Sequence, residues 1–185
     1  GQKEAALADY NKAIEINPKY EDAYYNRGIV LSDLGQKEAA LADYNKAIEI
    51  NPEDAIAYNN RGLLLNNLGQ KEAALADYSK AIEINPKDED ALNSRGDVYR
   101  TLGQYEAAFR DVRQAISIAP DFSYAHGTLA EIHAELGETE SFYTHFETAL
   151  SKGYPIHEFL DDPAYTDYKN EPRFMALLDQ YAKHH

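Results

Sequence analysis

The sequence predicts an all-α fold, a right-handed α-solenoid of antiparallel helix pairs with a 34-residue period. Two observations lead to this prediction. The segment GQKEAALADYNKAIEINP at 1–18 recurs unchanged at 35–52, and it recurs at 69–86 with Ser79 in place of Asn45. A weaker copy, GQYEAAFRDVRQAISIAP, occupies 103–120, and the stretches between copies have apolar residues at helical spacing. Each period therefore holds two helices.

Glycine and proline mark the predicted helix ends. Gly35, Gly69 and Gly103 each follow a leucine, where a residue that tolerates positive φ ends the first helix of a pair. A proline preceded by Asn or Ala ends the second helix, because proline cannot continue the hydrogen-bond ladder. The first helices are predicted at 21–34, 55–68, 89–102 and 123–136, and the second helices at 3–16, 37–50, 71–84, 105–118 and 139–151.

These helices divide the chain into six predicted segments. They are a truncated repeat with only its second helix (1–20), three repeats (21–54, 55–88, 89–122), a degenerate repeat (123–153) and a C-terminal helical cap (154–185). Because Gly1 corresponds to the turn glycine Gly35, we expect a piece of a longer array, and His184 and His185 are assigned no function. The cap should bury apolar residues on the last repeat, namely Phe159, Leu160, Phe174, Leu177 and Leu178.

Small and large residues recur at fixed places in the repeat. Mid-helix glycines at 28, 62 and 96 cost about 1 kcal/mol each relative to alanine, so we expect close packing against alanines of the second helix, such as Ala40. The tyrosines at helical spacing, Tyr24, Tyr44, Tyr58 and Tyr78, are predicted to be core residues rather than ligand platforms.

One repeat carries the motif residues Tyr24, Arg27, Gly28, Leu31, Ala40, Tyr44, Ala47 and Pro52. Their spacing resembles the tetratricopeptide repeat pattern W-x2-L-G-x2-Y, A-x3-F, A and P. The C-terminal segment that begins Pro172-Arg173-Phe174 is similar to the closing segment of many bacterial members of that family. The resemblance implies a solenoid that binds other proteins.

Arginine departs from the family pattern, which usually has leucine, at Arg27, Arg61 and Arg95. Aspartates recur at the same period on the second helices, at Asp43, Asp77 and Asp111. In the degenerate repeat both change together, to Leu129 and His145. We interpret the two sets as a structural ladder of ion pairs, and a role in ligand recognition is the alternative.

Composition and charge exclude several functions. The chain has 18 Lys and Arg, 32 Asp and Glu, a net charge of −14 and no cysteine. Disulfides, thiolate metal sites and cysteine nucleophiles are therefore excluded, and nucleic acid is an unfavourable partner for so acidic a chain. No apolar run approaches the roughly 20 residues of a membrane span, so no membrane insertion is expected. Localisation is left open, with the cytoplasm as the default.

Motifs of catalysis are absent from the sequence. It contains no Gly-rich phosphate loop, no GxSxG and no HExxH. His126 and His133 lie seven residues apart, and His145 and His157 follow, but this spacing is a weak signal for a metal because helical ligand pairs usually stand three or four apart. We expect a protein that is not an enzyme and that needs no cofactor and no metal.

The resemblance implies a peptide-binding groove lined by the first helix of each pair. Its candidate residues are Tyr25, Asn26, Ile29, Asn59, Asn60, Leu63, Asn93, Asp97 and Arg100. An asparagine side chain carries both a donor and an acceptor, so a row of them can pair with the backbone of an extended peptide. The simpler interpretation is that these amides are only solvated.

The expected partner is a protein or peptide with basic and apolar residues. Members of the family that grip a chaperone's C-terminal carboxylate use lysine and asparagine where this chain has Tyr25 and Ile29, and a basic residue where it has Asp90, so that ligand class is set aside. The leading interpretation is a non-catalytic scaffold that holds an extended segment of a partner. Two alternatives stay open: self-association, for example through the open N-terminal helix, and a recruiting arm of a larger enzyme.

Overall fold

The computed structural model describes residues 1–182, and regular structure in that range is entirely helical. The helices are α1 (Gln2–Ile16), α2 (Glu21–Asp33), α3 (Lys37–Ile50), α4 (Ala55–Asn67), α5 (Lys71–Ile84), α6 (Glu89–Thr101), α7 (Tyr105–Ile118), α8 (Ser123–Glu135), α9 (Thr139–Ser151), α10 (Ile156–Asp161), a 3-10 turn (Pro163–Tyr165) and α11 (Pro172–Ala182). The predicted bounds of α1 to α9 agree within one residue. The all-α fold class with its helix pairs is confirmed.

The chain forms two compact units, Gly1–Ala91 and Leu92–His185. In the first unit each helix packs on the next one in sequence, from α1 through α5. In the second unit α8 packs on α7, on α9 and on the 3-10 turn, while α11 packs on α9. No helix within residues 1–182 is long and apolar enough to cross a membrane.

The turn after α2 shows why glycine ends the first helix of a pair. Gly35 has φ of 74°, its N–H donates to Ser32 O at 2.9 Å, and the N–H of Gln36 donates to Leu31 O at 2.9 Å. This is a Schellman motif, which needs the left-handed backbone that glycine adopts at least cost. Gly69 repeats the arrangement with φ of 75°.

A tyrosine ring fills the space beside Gly28 and Gly62, whereas Val112 and the backbone of Ala108 lie beside Gly96. A Cβ on Gly28 would lie 2.9 Å from Cε1 of Tyr44, and one on Gly62 would lie 2.9 Å from Cε1 of Tyr78. The expected close partner, Ala40, is fully buried but is not among the atoms nearest to Gly28. The glycine thus accommodates an aromatic ring rather than a second small residue.

The ion-pair ladder joins the two helices of each repeat. Arg27 Nε and Nη2 donate to the two carboxylate oxygens of Asp43, each at 2.7 Å. Arg61 makes the same fork with Asp77, and Arg95 makes it with Asp111. A third bond reaches back to the preceding repeat, because Arg27 Nη1 donates to Asn11 Oδ1 at 2.6 Å. These hydrogen bonds all join helices of the same chain, as expected if the arginines have a structural role.

Aromatic residues form the core of the C-terminal segment. Phe159, Phe174 and Leu178 are buried as expected, and Leu177 packs against them while partly exposed. The expectation for Leu160 is wrong, since it is 46% exposed. The six-residue helix α10 turns one face inward, Phe159 takes the buried position there, and the next residue points about 100° away.

Candidate functional site

Six of the nine predicted site residues lie on α2 and α4 of the first unit. We define the α2/α4 face by Tyr25, Asn26, Ile29, Asn59, Asn60 and Leu63. Leu63 is 49% exposed, and Ile56, also on α4, is 58% exposed. Large apolar side chains exposed on a helix whose opposite side is packed are candidates for contact with a partner.

A depression of about 150 Å³ opens on this face. It is lined by Ile29, Ser32, Asp33, Tyr44, Asn60, Leu63, Leu64 and Asn67. Three predicted site residues, Ile29, Asn60 and Leu63, are thus brought together. The aliphatic side chains and the Tyr44 ring offer an apolar surface, while two amides and a carboxylate supply polar groups beside it.

Sequence analysis missed Ser32, Tyr44 and Leu64 as parts of this depression. Ser32 follows Ile29 by three residues, which places both on one side of α2, so the helical spacing was an available signal. Tyr44 comes from the second helix of the repeat, and Leu64 is 3% exposed. Neither residue was predicted to line a surface, because whether its side chain reaches the depression depends on how the helices pack.

The amide groups of the face are partly used within the chain. Asn60 Nδ2 donates to the Tyr25 hydroxyl and to Ile56 O, each at 3.0 Å, and Asn26 Nδ2 donates to Asp22 O at 2.7 Å. Among the described residues the side-chain oxygens of Asn26 and Asn60 accept no hydrogen bond. They remain available as acceptors for the N–H groups of a ligand.

Asn59 differs from Asn26 and Asn60 in the burial of its side-chain oxygen. Its Oδ1 atom is enclosed and has no hydrogen-bond partner in the part of the chain that the structure describes. An enclosed oxygen without a donor costs free energy, and a ligand N–H cannot reach it unless the side chain rotates. In the second unit Asn93, one period later, has an enclosed and unpartnered Oδ1 as well.

Carboxylates surround the α2/α4 face. Burial, together with hydrogen bonding to Asp54 and the charges of Asp54 and Asp22, raises the pKa of Glu21 to about 7. Asp54 also caps α4 by accepting from Ile56 N at 2.9 Å. Asp33, beside the depression, pairs with Lys3 at 3.0 Å through side chains that are about half exposed. The surroundings favour cationic groups.

Two of the remaining predicted site residues on α6, Asp97 and Arg100, lie in an acidic cluster of the second unit. Arg100 is 7% exposed and pairs with Asp97 at 2.8 Å and with Glu131 at 3.1 Å. It also pairs with Glu135 and Asp162. The guanidinium group is therefore engaged by four carboxyl groups of its own chain, which hold it in place.

Three of the four histidines within residues 1–182 come together between α8 and α9. The Nδ1 atoms of His126 and His145 lie 3.4 Å apart, and the rings of His133 and His145 stack with centroids 5.4 Å apart. His133 Nδ1 lies 2.6 Å from Glu138 Oε2, whereas His157 lies elsewhere and is exposed. Across residues 1–182 no group of three or more His, Cys, Asp or Glu side chains is arranged to hold a metal ion.

Comparison with protein families identifies the repeats. Residues 21–54 and 55–88 each match the tetratricopeptide repeat, residues 78–110 match it too, and residues 1–35 match a TPR repeat. An uncharacterized protein of Methanocaldococcus jannaschii, MJ0572, is 51% identical over 35 residues. That match covers 19% of this chain and 41% of the relative, so the chain spans about two fifths of that protein.

Solved structures of TPR proteins share the fold. A crystal structure of MamA has a TM-score of 0.73 at 25% identity and covers 82% of this chain and 89% of its own. PilW, described as a type IV pilus biogenesis factor, has a TM-score of 0.82 at 21% identity, with 98% and 85% covered. YrrB, described as a TPR protein with an unusual peptide-binding site, has a TM-score of 0.66 at 23% identity, with 94% and 91% covered. The repeats and these neighbours support a protein-interaction scaffold.

Proposed function

The chain belongs to the tetratricopeptide repeat family, and we propose that its first unit binds an extended peptide segment of a partner protein on the α2/α4 face. The observation that carries the proposal is the depression between α2 and α4, whose lining includes Ile29, Leu63 and Asn60. A volume of about 150 Å³ suits one aliphatic side chain of the ligand. The amide of Asn60 then lies where it can pair with the ligand's backbone.

The charge of the face selects the ligand. Asp33 lies in the lining, and Glu21 and Asp54 stand near Tyr25 on the same unit. A peptide that carries a basic residue beside its apolar anchor gains favourable electrostatics here, whereas an acidic peptide meets like charge. With few hydrogen bonds, each worth about 1 kcal/mol net, the dissociation constant should be of order micromolar.

The proposal extends to all the predicted site residues. Tyr25 supports Asn60 through its hydroxyl, Asn26 offers its side-chain oxygen, and Asn59 contributes once its amide rotates. On the second unit we propose contact through Asn93 and Asp97, with Arg100 holding Asp97 in position. Self-association and a recruiting role for a larger enzyme stay alternatives.

A displayed library of random 12-residue peptides, panned on the chain, tests the proposal. Selected peptides should be enriched in basic and aliphatic residues. The double substitution Asn26→Ala with Asn60→Ala should weaken their binding about tenfold or more, and Leu63→Asp should do the same, because each removes a contact that the ligand makes on binding. Circular dichroism should show that these variants stay folded.

The control is Leu136→Asp, an exposed leucine of the second unit that is 41% exposed. It should leave the affinity of the selected peptides within about twofold of the parent. Peptides that bind the Asn26/Asn60 and Leu63 variants as tightly as they bind the parent would place the binding surface elsewhere and reduce the α2/α4 face to a solvated one.

A further inference from the structure

The carboxylate in the lining of the depression on the α2/α4 face belongs to Asp33. Asp33 follows Ile29 by four residues on α2, so the two side chains lie one turn apart on the same side of the helix. The chain itself supplies a cation here, because Lys3 Nζ lies 3.0 Å from Asp33 Oδ2 and donates to Asp33 O at 3.5 Å. An ammonium group thus marks where a cation binds at the edge of the depression.

The ion pair between Lys3 and Asp33 is open to exchange. The Lys3 side chain is 48% exposed and that of Asp33 is 55% exposed. Ion pairs this exposed contribute little to stability, because water solvates both groups well when they separate. A second cation that reaches the carboxylate can therefore replace Lys3 at little cost.

The fold does not require a carboxylate at this position. The next repeat has Asn67 there, and the repeat after that has Thr101. The turns that follow α2 and α4 are nevertheless alike, with φ of 74° at Gly35 and 75° at Gly69. Asp33 thus adds a charge to the depression without serving the architecture of the repeat.

We propose that the peptide bound on the α2/α4 face carries a lysine or arginine two residues from its aliphatic anchor, and that this cation replaces Lys3 on the Asp33 carboxylate. The motif presupposes the peptide binding proposed above and adds the spacing of the two ligand residues. Every second side chain of an extended peptide lies on the same side, about 7 Å apart. That separation is close to the distance of about 6 Å between side chains one helical turn apart, such as Ile29 and Asp33.

Lys3 then acts as a competitor within the chain. A ligand with the basic residue gains only the difference between its own ion pair and the pair that it breaks. Loss of the Lys3 charge should therefore strengthen the binding of such a ligand, whereas loss of the Asp33 charge should weaken it. A general attraction of cations to the acidic chain would instead give the same gain for the loss of any lysine.

Three isomeric peptides test the spacing: GSSKLKSSG, GSKSLSKSG and GKSSLSSKG, each acetylated and amidated at its ends. They place lysines one, two or three residues from a central leucine on both sides, so their charge is equal and their direction on the face does not matter. Titration of the ¹⁵N-labelled chain, followed by NMR chemical shifts, measures dissociation constants up to the millimolar range. The two-residue isomer should bind at least about threefold more tightly than the others, with shifts at residues 29–33 and at the Asn60 side chain.

Two charge variants test the carboxylate and its competitor. Asp33→Asn should weaken binding of the two-residue isomer at least about threefold and remove its preference over the others. Lys3→Gln should strengthen its binding at least about twofold. The control is Lys12→Gln, which removes the same charge from α1 about 13 Å further along the helix. It should change the affinity less than about 1.5-fold, because salt at about 0.15 M screens charges at that distance.

Circular dichroism should show that all three variants stay folded, as expected for side chains on the surface. Equal binding of the three isomers, or equal effects of Lys3→Gln and Lys12→Gln, would overturn the motif while peptide binding on the α2/α4 face stands. Absence of shifts at residues 29–33 with every isomer would also overturn the motif. The displayed peptides described above then show separately whether the face binds a ligand of another kind.

Discussion

The guanidinium group of Arg61 shows how a charged side chain replaces the leucine of the family pattern. It donates twice to Asp77 and once to Asn45, each at 2.7 Å, and its carbon lies 5.4 Å from the centre of the Tyr58 ring. Its side chain is 20% exposed and that of Asp77 is 8% exposed. The pair satisfies an acid that would otherwise be buried without donors.

We predict that Arg61→Leu lowers the free energy of unfolding by about 1 to 3 kcal/mol, although it restores the family residue. The reason is that the Asp77 carboxylate keeps its place in the core and loses its donors. Urea unfolding followed by circular dichroism measures the change. Lys46→Leu is the control, because its partner Glu49 is exposed, and the loss there should stay below about 0.5 kcal/mol. A variant more stable than the parent would mean that the arginine is not structural.

The charge state of Glu131 leads to another prediction. Its pKa is raised to about 8, chiefly by burial, with Asp97, Asp162 and Glu135 adding to the rise and Arg100 opposing it. The folded carboxyl group thus keeps its proton to a higher pH than the unfolded one, whose ordinary pKa is 4.5. Unfolding releases that proton, so the stability from this group is present below pH 4.5 and is lost as the pH rises to about 8.

The Glu131→Gln variant should therefore become increasingly more stable than the parent as the pH rises from 5 to 9, since a neutral amide has no proton to lose. Thermal unfolding midpoints across that pH range measure the difference between the two proteins. Glu147→Gln, on the exposed side of α9, is the control and should run parallel to the parent. Parallel curves for Glu131→Gln would show that this carboxyl group titrates normally.

The packing of α8 against α9 differs from that of the other repeats because histidines replace the ion-pair ladder there. His145 lies between His126 and His133, and the Phe109 ring continues the column at 5.1 Å from His133. Burial, reinforced by the neighbouring charges of His133, His126 and Arg113, lowers the pKa of His145 to about 4. The low pKa of His145 means that this imidazole is neutral near pH 7.

We predict that the stability contributed by this helix pair decreases as the pH is lowered from about 6.5 to about 4. In that window the unfolded chain binds a proton at residue 145 that the folded chain excludes. His145→Gln should reduce the loss, which unfolding midpoints at pH 7 and pH 5 will measure. His157→Gln, a side chain that is 73% exposed, should leave it unchanged. Equal losses in the parent and the His145 variant would contradict the assignment.

The net charge of −14 acts on the whole chain. The excess negative charges repel one another in the compact folded state. Salt screens that repulsion, because the Debye length falls from about 20 Å at 20 mM to about 4 Å at 0.5 M. The forks of Arg27, Arg61 and Arg95 are partly buried, so salt weakens them less. We therefore expect repulsion among the excess acidic residues, rather than the weakening of ion pairs, to determine how the stability of the folded chain changes with salt.

We therefore predict that the thermal midpoint at pH 7 rises as NaCl increases from 20 mM to 0.5 M. Near pH 4.7, the isoelectric point of the sequence, the rise should disappear because net repulsion has vanished. Differential scanning calorimetry at the two pH values measures both effects. A midpoint that falls with salt at pH 7 would show that ion pairing outweighs repulsion.

The helix bounds and the repeat class could be predicted from the sequence because their causes are local. A glycine at positive φ, a proline or an apolar spacing acts within about one turn of its own position. The predicted bounds of α3, α5 and α7 accordingly agree with the structure to the residue. The resemblance to the repeat family, rather than local spacing, predicted Ile29, Asn60 and Leu63 as residues of one face.

Contacts between residues far apart in the sequence were decided only by the tertiary structure. The ring beside Gly28 is Tyr44 rather than Ala40, Arg100 is held partly by Asp162, and Leu160 is exposed. Helix α1 makes the point without any change of sequence, since its residues match those of α3 yet none is buried. Burial and pairing depend on which surface lies opposite, and that is a property of the packed helices rather than of any single segment.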